Sequence, residues 1–540
     1  MARLATGGAV RSSRKDTAGT VDVQLMDRAA AYELPLKIIA GAGKRINGLT
    51  LENDKPGKLF IARGTGPDLF PGRRMEAVRS DQRNTYTART WPHIQPLQRG
   101  TSLMFSLDHA LQLHGEGRLD EARHAYLEIL AAQPDADGAL HYLGILEHQC
   151  GRSEEGLDLL TRALELVPPQ AERLNDLGNV LSELERLNEA VAAFSAAAKL
   201  RPDDANLSNN LGAVLARLER LPAAEAAFRQ ALAIDPEFVP ALNNFADLCM
   251  RQGQSDEAAQ YYCRAFVSGP LADKPKRMLG IAYYTLNRIA EAAEVYREWN
   301  AAEPHNPIAR HLLAACSGQD VPVRADDAFV ETIFDEYAEN FDTQLVQSLA
   351  YRGPEYIAAA LATYLPAARG LRVLDGGCGT GLCGPVLAPY AAHLTGIDLS
   401  AKMLARAATR GGYDSLEKAE LGAYLASQAT AFDLIVIADV LIYFGALDAV
   451  FAAAAHALKR PGLLLFTVEI YAGGAQSPPC VIKPSGRYGH APRYIESCLA
   501  RHGFSVLSSD AVILRKELTQ PIAGLVVSAR QAALQFPHQG

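Results

Sequence analysis

The chain has 540 residues, which is too long for a single hydrophobic core and predicts about two to four domains. It is 49% apolar and 21% charged, ordinary values for a globular protein that argue against wholesale disorder. The net charge of −8 divides into +8 for residues 1–103 and −16 for the remainder, and so acidic a remainder gives no support for nucleic-acid binding.

Eight cysteines are scattered along the chain without a CxxC pair, at positions 150, 249, 263, 316, 378, 383, 480 and 498. This spacing predicts reduced thiols rather than a disulfide or zinc framework, and no other cluster suggests a metal. The sequence contains no apolar run near the ~20 residues that span a bilayer, and its beginning lacks the uninterrupted apolar segment of a secretory signal. We therefore expect a cytoplasmic protein that does not enter a membrane.

Residues 1–103 are rich in Gly, Arg and Thr and show no sustained helical or strand period. Disorder is the simplest expectation for this segment. A sharper hypothesis is that translation begins at Met104, because a clean helical pattern, MFSLDHALQLHGEGRLDEA, starts there at once. Peptides from residues 1–103 in the native protein would exclude that hypothesis.

Residues 104–306 repeat with a period of 34. Prolines recur at this interval, at positions 134, 168, 202, 236, 270 and 304. Twelve residues before each proline stands a small residue, and eight before it a large one, for example Ala190 with Phe194. Leu-Gly recurs in the earlier half of the unit, as at Leu177-Gly178 and Leu211-Gly212. A small residue allows two antiparallel helices to approach, and the proline ends the second helix.

This register resembles the tetratricopeptide repeat over six units, which implies an all-α solenoid of stacked helix pairs. The next segment, residues 307–324, contains PIARHLLAAC, which looks like the helix that closes such an array, followed by a linker. The functional hypothesis for the repeats is a concave surface that binds a protein or peptide. The alternative is a scaffold that positions or dimerises the rest of the chain. Asn209, Asn210, Asn243 and Asn244 are our candidates for contacts with a peptide backbone.

Residues 325–535 no longer show the 34-residue repeat and have a different pattern. An amphipathic helical stretch around residues 329–345 precedes strand-like runs that alternate with helical segments. The runs are LRVLD (371–375), HLTGID (393–398), AFDLIVIADV (431–440), GLLLFTVEI (462–470), FSVLSSDAVILRKE and AGLVVSAR. Alternation of this kind predicts an α/β domain with a parallel sheet covered on both faces, and the last two runs predict an antiparallel pair at its edge.

The glycine-rich stretch VLDGGCGTGLCG (373–384) allows two patterns, GxGxG at Gly377, Gly379 and Gly381, and the dinucleotide pattern GxGxxG that ends at Gly384. The strand ends at Asp375, so the first pattern occupies the turn, whereas Gly384 falls within the following helix. An acid at the end of the first strand would repel a pyrophosphate and suits a ligand with a positively charged amino group. Asp398, which ends the second strand, suits ribose hydroxyls in either nucleotide family.

Four ordered segments, VLDGGCGTG, TGIDLSAKML, FDLIVIADVLIYF and LKRPGLLLFTVE, resemble the class I S-adenosylmethionine-dependent methyltransferases. Together with the repeats they resemble the bacterial group of tetratricopeptide-containing methyltransferases. The resemblance implies a Rossmann-like domain with a mostly parallel seven-stranded sheet and an antiparallel edge strand, and S-adenosylmethionine as cofactor.

The resemblance also implies roles for particular residues. Asp375 would take the methionine amino group, and Asp398 the ribose. The glycine turn with Cys378 would let backbone approach the cofactor. The other implied cofactor contacts are Leu399 and Met403 near the adenine, Glu420 and Leu421 after the expected third strand, Asp439 after the fourth, and Tyr337 over the methionine end. The third strand is poorly marked, because SLEKAELGAYLA has a helical pattern.

Methyl transfer needs alignment of the acceptor, with a base only where the acceptor loses a proton. The candidate bases are His490, Asp439 and Tyr443. The segment ADVLIY stands where amino-methylating nucleic-acid enzymes carry NPPY, which argues against that class. Two alternatives remain beside an enzyme with a protein-binding module. One is an interaction scaffold with a catalytically silent, cofactor-sensing domain, and the other is a small-molecule methyltransferase whose repeats serve assembly.

Overall fold

The computed structural model describes residues 106–339, 341–342, 349–366, 369–473, 476–517 and 520–531. The expectations for residues 1–103 and for a start at Met104 lie outside the described residues. Contacts divide the chain into two compact units, one that extends to Ala272 and one that starts at Asp273.

In its described part, the first unit consists of five antiparallel helix pairs. The pairs are α1 (Leu107–Gly115) with α2 (Leu119–Ala132), α3 (Asp137–Gln149) with α4 (Ser153–Glu165), α5 (Ala171–Glu183) with α6 (Leu187–Leu200), α7 (Ala205–Arg217) with α8 (Leu221–Ile234), and α9 (Val239–Arg251) with α10 (Ser255–Ser268). The predicted prolines follow the second helix of each pair, so the helical solenoid expected from the 34-residue period is confirmed.

Each turn inside a pair contains a residue with positive φ, at intervals of 34 residues. The residues are Gly117 (75°), Gly151 (83°), Glu185 (59°), Glu219 (57°) and Gly253 (75°). Glycine adopts this conformation without steric cost, whereas the two glutamates adopt it because the packed helices fix the turn. The repeat is therefore a repeat of backbone geometry as well as of side chains.

The large side chain of the second helix packs directly against the glycine of the Leu-Gly pair in the first helix. A Cβ placed on Gly178 would lie 2.7 Å from Phe194 Cε1, and one on Gly212 would lie 2.6 Å from Phe228 Cε1. Both rings are buried, as predicted. In the fifth pair an alanine replaces the glycine, and the corresponding ring, Tyr262, is only half-buried and contacts Asp247.

The second unit begins with a sixth helix pair, α11 (Lys276–Thr285) and α12 (Ile289–Ala302), and the closing helix α13 (Pro307–Ser317). Its other described helices are α14 (Asp327–Tyr337), α15 (Gly353–Tyr364), α16 (Gly384–Leu387), α17 (Ala401–Arg410), α18 (Leu421–Ser427), α19 (Asp448–Ala457) and α20 (Pro492–Arg501), with short 3-10 helices at Ala388–Tyr390 and Leu441–Tyr443. The last repeat therefore belongs to the same compact unit as the α/β region.

Seven strands form the main sheet: β1 (Leu371–Gly376), β2 (Ala391–Asp398), β3 (Ser415–Lys418), β4 (Phe432–Ile437), β5 (Leu458–Glu469), β8 (Phe504–Glu517) and β9 (Gln520–Gln531). Their order is β3-β2-β1-β4-β5-β9-β8. The first five are parallel, and β9 pairs antiparallel with both β5 and β8. This confirms the mostly parallel seven-stranded sheet, with the antiparallel pair β8–β9 completing one edge. A separate hairpin joins β6 (Cys480–Ile482) to β7 (Tyr488–His490).

Alternate residues of the central strands face opposite layers. Leu374 and Ile435 pack with the helices α18, α19 and α20, whereas Val373 and Leu434 pack with α15 and α16. Residues 415–418 are extended and pair with β2, although SLEKAELGAYLA has a helical pattern. Tertiary pairing thus overrides local propensity in this short strand, and only Leu421–Ser427 is helical.

Candidate active site

The glycine turn after β1 is held by hydrogen bonds to the neighbouring strand. The N–H groups of Gly377 and Cys378 both donate to Ile397 O at 2.9 Å. Gly377 has a φ of 75°, and a Cβ there would lie 2.3 Å from Val440 Cγ2, so this position requires glycine. A Cβ on Gly379 would meet no atom within 4 Å, so its backbone faces open space that a ligand could approach.

Asp398 links the ends of β1 and β2. Its Oδ2 accepts a hydrogen bond from Gly379 N–H at 2.9 Å, and its Oδ1 accepts one from Ser400 N–H at 2.8 Å. Burial raises the pKa of Asp398, and these backbone hydrogen bonds oppose that rise by favouring the carboxylate. The carboxyl group is thereby fixed beside the glycine turn.

Asp375, at the end of β1, is 1% exposed and accepts a hydrogen bond from the Tyr413 hydroxyl at 2.6 Å. Burial raises the pKa of Asp375 to about 7, although the Tyr413 hydrogen bond lowers it. The Tyr413 ring occupies space beside two glycines, since a Cβ on Gly384 or on Gly396 would lie 2.8 Å from it. Tyr413 is a site residue that sequence reasoning missed, because it lies in a loop after α17, outside the glycine stretch.

Helix α14 lies beside the ends of β2 and β3. The Ser400 hydroxyl donates to Asp335, and Lys418 Nζ donates to Glu331 Oε1 at 2.6 Å. At the end of α14, Tyr337 accepts a hydrogen bond from Arg277 of α11 at 2.8 Å. Tyr337 is thus held in place by the sixth repeat.

Asp439 follows β4 and adopts a φ of 58°, with its N–H bonded to Thr467 Oγ1 at 2.8 Å. Its Oδ1 lies 2.8 Å from Nη1 of Arg515, which is 1% exposed and also pairs with Glu469 and Glu517. Burial raises the pKa of Asp439, and Arg515 opposes that rise. Arg515 was not predicted, although an arginine within the apolar run AVILRKE could have indicated a buried charge.

Tyr443 lies in the 3-10 helix after β4. Its ring packs edge-to-face with Phe334 of α14, with 5.7 Å between centroids. Burial raises the pKa of its hydroxyl, while Arg487 opposes that rise. Tyr443 and Asp439 thus lie beside each other on the side of the site that is formed by β4 and β5.

These groups surround one cavity of about 410 Å³. Most of the predicted residues line it: Tyr337, Asp375, Gly377, Cys378, Gly379, Asp398, Leu399, Glu420, Leu421, Asp439 and Tyr443. Glu420 also caps α18, where its Oε2 accepts a hydrogen bond from Ala423 N–H at 2.7 Å. The volume falls in the range of small-ligand and cofactor sites.

Three predicted residues are not among the lining residues. Gly381 packs against Tyr413 and Ala407, and Met403 is a fully buried residue of α17. His490 ends β7, is fully buried, and has Nε2 at 2.7 Å from Phe444 O. That contact requires Nε2 to carry the proton, and burial lowers the pKa of His490. His490 is therefore hydrogen-bonded to the loop after β4 and does not line the cavity.

The predicted peptide-binding asparagines lie on α7 and α9. Asn210 Nδ2 donates to Asn175 Oδ1, and Asn244 Nδ2 donates to Asn209 Oδ1, each at 2.9 Å. Asn243 is exposed. The amides therefore form a row across successive units, with Asn210 and Asn244 partly accessible.

Within the described ranges, no group of three or more His, Cys, Asp or Glu side chains could hold a metal, and none of the eight cysteines, all of which lie in those ranges, forms a disulfide. The helices there include none that is both long and apolar enough to cross a bilayer.

Comparisons with known proteins match two parts of the chain. A tetratricopeptide repeat model matches residues 107–171, 175–237 and 243–307, and a methyltransferase domain model matches residues 374–464. A ubiquinone biosynthesis O-methyltransferase of Xylella fastidiosa (strain 9a5c) is 36% identical over 105 residues, which is 19% of this chain. The chain spans 42% of the length of that relative.

Two solved structures resemble separate parts of the chain. MamA is 24% identical, with a TM-score of 0.28, and the match covers 29% of this chain and 93% of MamA. Magnesium protoporphyrin IX methyltransferase from Synechocystis PCC 6803, solved with S-adenosylhomocysteine (SAH), is 20% identical, with a TM-score of 0.30, and the match covers 38% and 97% of the two chains. These low scores carry no weight for function. The two family models and the sheet order together identify the chain as tetratricopeptide repeats joined to a methyltransferase domain of the class I fold.

Proposed function

We propose that this protein transfers a methyl group from S-adenosylmethionine to an acceptor. The observation that carries the proposal is the juxtaposition of Asp375, Asp398 and the open backbone of Gly379 in one cavity, at the carboxyl ends of two adjacent parallel strands. A ligand that carries an ammonium group and a ribose matches this set of groups.

The described residues fit the cofactor in chemistry as well as in position. Asp375 would accept a hydrogen bond from the methionine amino group, and Asp398 would accept hydrogen bonds from ribose hydroxyls. Leu399 and Leu421 offer apolar contacts for the adenine, and a bound ligand could approach the backbone at Gly379, where the site is open. When bound, S-adenosylmethionine supplies an activated methyl group on a sulfonium sulfur.

The remaining residues would orient the acceptor and exclude water. Asp439 and Tyr443 line the cavity. Asp439 lies beside Arg515 and Tyr443 lies beside Arg487, and the charge of each arginine holds its neighbour in position. Where the acceptor must lose a proton, Asp439 is the preferred base of the two, because burial raises its pKa and thereby its proton affinity. Positioning accounts for most of the required rate enhancement in such a displacement.

We also propose that the first five helix pairs bind a protein or peptide through the asparagine row. Asn210 and Asn244 are partly accessible, and an amide can donate to and accept from a peptide backbone at once. Asn210→Ala with Asn244→Ala should reduce recovery of a cross-linked partner, whereas Asn188→Ala, on α6, should not. Equal recovery by all variants would contradict this role.

The enzymatic proposal is tested with S-adenosylmethionine labelled in its methyl group. Wild-type protein, added to lysate from cells that lack it, should transfer label to a component of that lysate, and Asp398→Asn should lower the transfer by at least about tenfold. Tight binding of the cofactor without any transfer of label would contradict the proposal that the protein is a methyltransferase enzyme.

A further inference from the structure

The sixth repeat contributes side chains to the cavity. Arg277, Ile281 and Tyr284 of α11 and Leu312 of α13 line the same space as Asp375 and Asp398, all within the second compact unit. In a solenoid whose only task is to bind a partner, no repeat needs to close a catalytic cavity.

The sequence of this repeat departs from the third, fourth and fifth units at the positions concerned. Arg277 stands where the third, fourth and fifth units have Asn175, Asn209 and Asn243. Ile281 stands where the same three units have asparagine, alanine and aspartate (Asn179, Ala213, Asp247). At the register of the asparagines the sixth unit therefore has a cation, Arg277, and one turn further along the helix it has an apolar side chain, Ile281.

Arg277 acts on the cavity through α14. It donates to Tyr337 Oη at 2.8 Å, pairs with Glu336 at 2.6 Å, and stacks over the Tyr337 ring with its Cζ 5.8 Å from the centroid. These contacts fix the end of α14 and leave Ile281, one turn further along α11, as part of the wall. Both residues are spaced to face the same side of the helix.

The wall on this side is rich in rings. Tyr284, Phe329, Phe334, Tyr337, Phe341 and Tyr443 all line the cavity. Phe334 packs edge-to-face with both Phe341 and Tyr443, with centroids 5.8 and 5.7 Å apart. Edge-to-face clusters of this kind accept further flat rings.

The described lining has five cationic side chains, four arginines and Lys516, and the arginines are already ion-paired. Arg277 pairs with Glu336, Arg324 with Asp327, Arg487 with Glu517, and Arg515 with Asp439, Glu469 and Glu517. An anionic acceptor would have to compete with these carboxylates, and removing a partner is costly for Arg515, the arginine whose pairs are buried. A neutral acceptor leaves every pair intact.

We infer that the methyl acceptor is a small, neutral, ring-containing organic molecule, and that Ile281 and Tyr284 of the sixth repeat form part of its binding site. The inference rests on the proposed function, since it assigns the acceptor side of the same cavity. The sixth repeat is then a specificity element of the catalytic unit.

Two fluorescent probes with the same ring system test this assignment in the full-length protein saturated with SAH. N-phenyl-1-naphthylamine is neutral, and 8-anilinonaphthalene-1-sulfonate adds a sulfonate. The neutral probe should bind saturably to the wild type. The anionic probe should bind at least about tenfold more weakly, because the arginines are already paired. Equal or tighter binding of the anionic probe would overturn the assignment of a neutral acceptor.

The variant Ile281→Asn introduces the residue found at this position in the third unit. It should weaken the neutral probe by roughly tenfold, because an amide replaces an apolar contact. The matched control is Ile145→Asn, at the same register in the second unit, which should leave probe binding unchanged. Unchanged binding in Ile281→Asn, or no saturable binding to the wild type, would overturn the inference.

Calorimetric titration with SAH separates this inference from the proposed function. Both isoleucine variants should bind SAH as the wild type does, which also reports that they are folded. Absence of SAH binding in the wild type would contradict the methyltransferase proposal itself. Normal SAH binding with failed probe results would contradict only the assignment of the acceptor.

Discussion

At the scale of single residues, the Tyr413–Asp375 hydrogen bond favours the ionised form of a carboxyl group whose pKa burial raises. Asp375 has a pKa of about 7, raised by burial and held down by the Tyr413 hydroxyl. A ligand ammonium group binds the ionised carboxylate, so cofactor affinity should fall as the pH is lowered through that value.

Tyr413→Phe should move this transition to higher pH by about one unit, because the change removes a hydrogen bond that favours the carboxylate while it keeps the ring beside the glycines. The measurement is SAH affinity across about pH 5 to 9, which brackets both midpoints. Tyr424→Phe on α18 is the control and should leave the midpoint in place. A shift to lower pH in Tyr413→Phe would contradict the assigned role.

Arg515 pairs with the carboxylates of Asp439 and Glu469, of which Glu469 also pairs with Lys483. Arg515→Met should lower the free energy of unfolding by about 3–5 kcal/mol, because Asp439 loses its ion-pair partner and Glu469 keeps only Lys483. Chemical denaturation measures the change. The same substitution at Arg352, which is 57% exposed in its pair with Glu355, should have a much smaller effect. Equal effects of the two substitutions would show that Arg515 is not essential to this cluster.

At the scale of elements, the Leu-Gly contacts set the spacing of the repeat helices. Gly178→Ala places a methyl group 2.7 Å from the Phe194 ring, and such overpacking costs about 1–3 kcal/mol, more than the gain in helix propensity. A lower midpoint of thermal unfolding is therefore expected. Gly138→Ala is the matched control, because its nearest neighbour at 2.8 Å is the flexible end of Leu107. A destabilised Gly138→Ala together with an unchanged Gly178→Ala would contradict the packing argument.

Elements with a strong local pattern could be predicted from sequence. The prolines and Leu-Gly pairs predicted the helix pairs, and apolar runs predicted β1, β2, β4, β5, β8 and β9 close to their observed bounds. The short strand β3 had no such pattern, since its pairing with β2 decides its conformation. Tyr413 and Arg515 could not be assigned because each reaches the site from an element distant in sequence from Asp375 or Asp439. His490 was an attractive base in sequence but lies under the loop after β4.

At the scale of the whole molecule, the second unit begins with the sixth repeat and not after it. His311 of α13 has Nε2 at 2.8 Å from Gly486 O, and Arg277 of α11 contacts α14, so the closing helix and the sixth pair each contact the α/β region. A protease site inserted between Gln319 and Asp320, where the chain is exposed, should yield fragments that co-elute in size-exclusion chromatography. Fragments that separate without denaturant would contradict this organisation.

Calorimetric titration of SAH into wild-type protein and into Asp398→Asn tests the central claim most directly. We expect one site per chain in the wild type. Affinity should be at least about tenfold lower in Asp398→Asn, because a charge-assisted acceptor for the ribose is lost. Asp433→Asn, at the opposite end of the sheet where Asp433 pairs with Lys459, should bind as the wild type does. Absence of binding to the wild type, or equal affinity in Asp398→Asn, would contradict a cofactor site at the glycine turn.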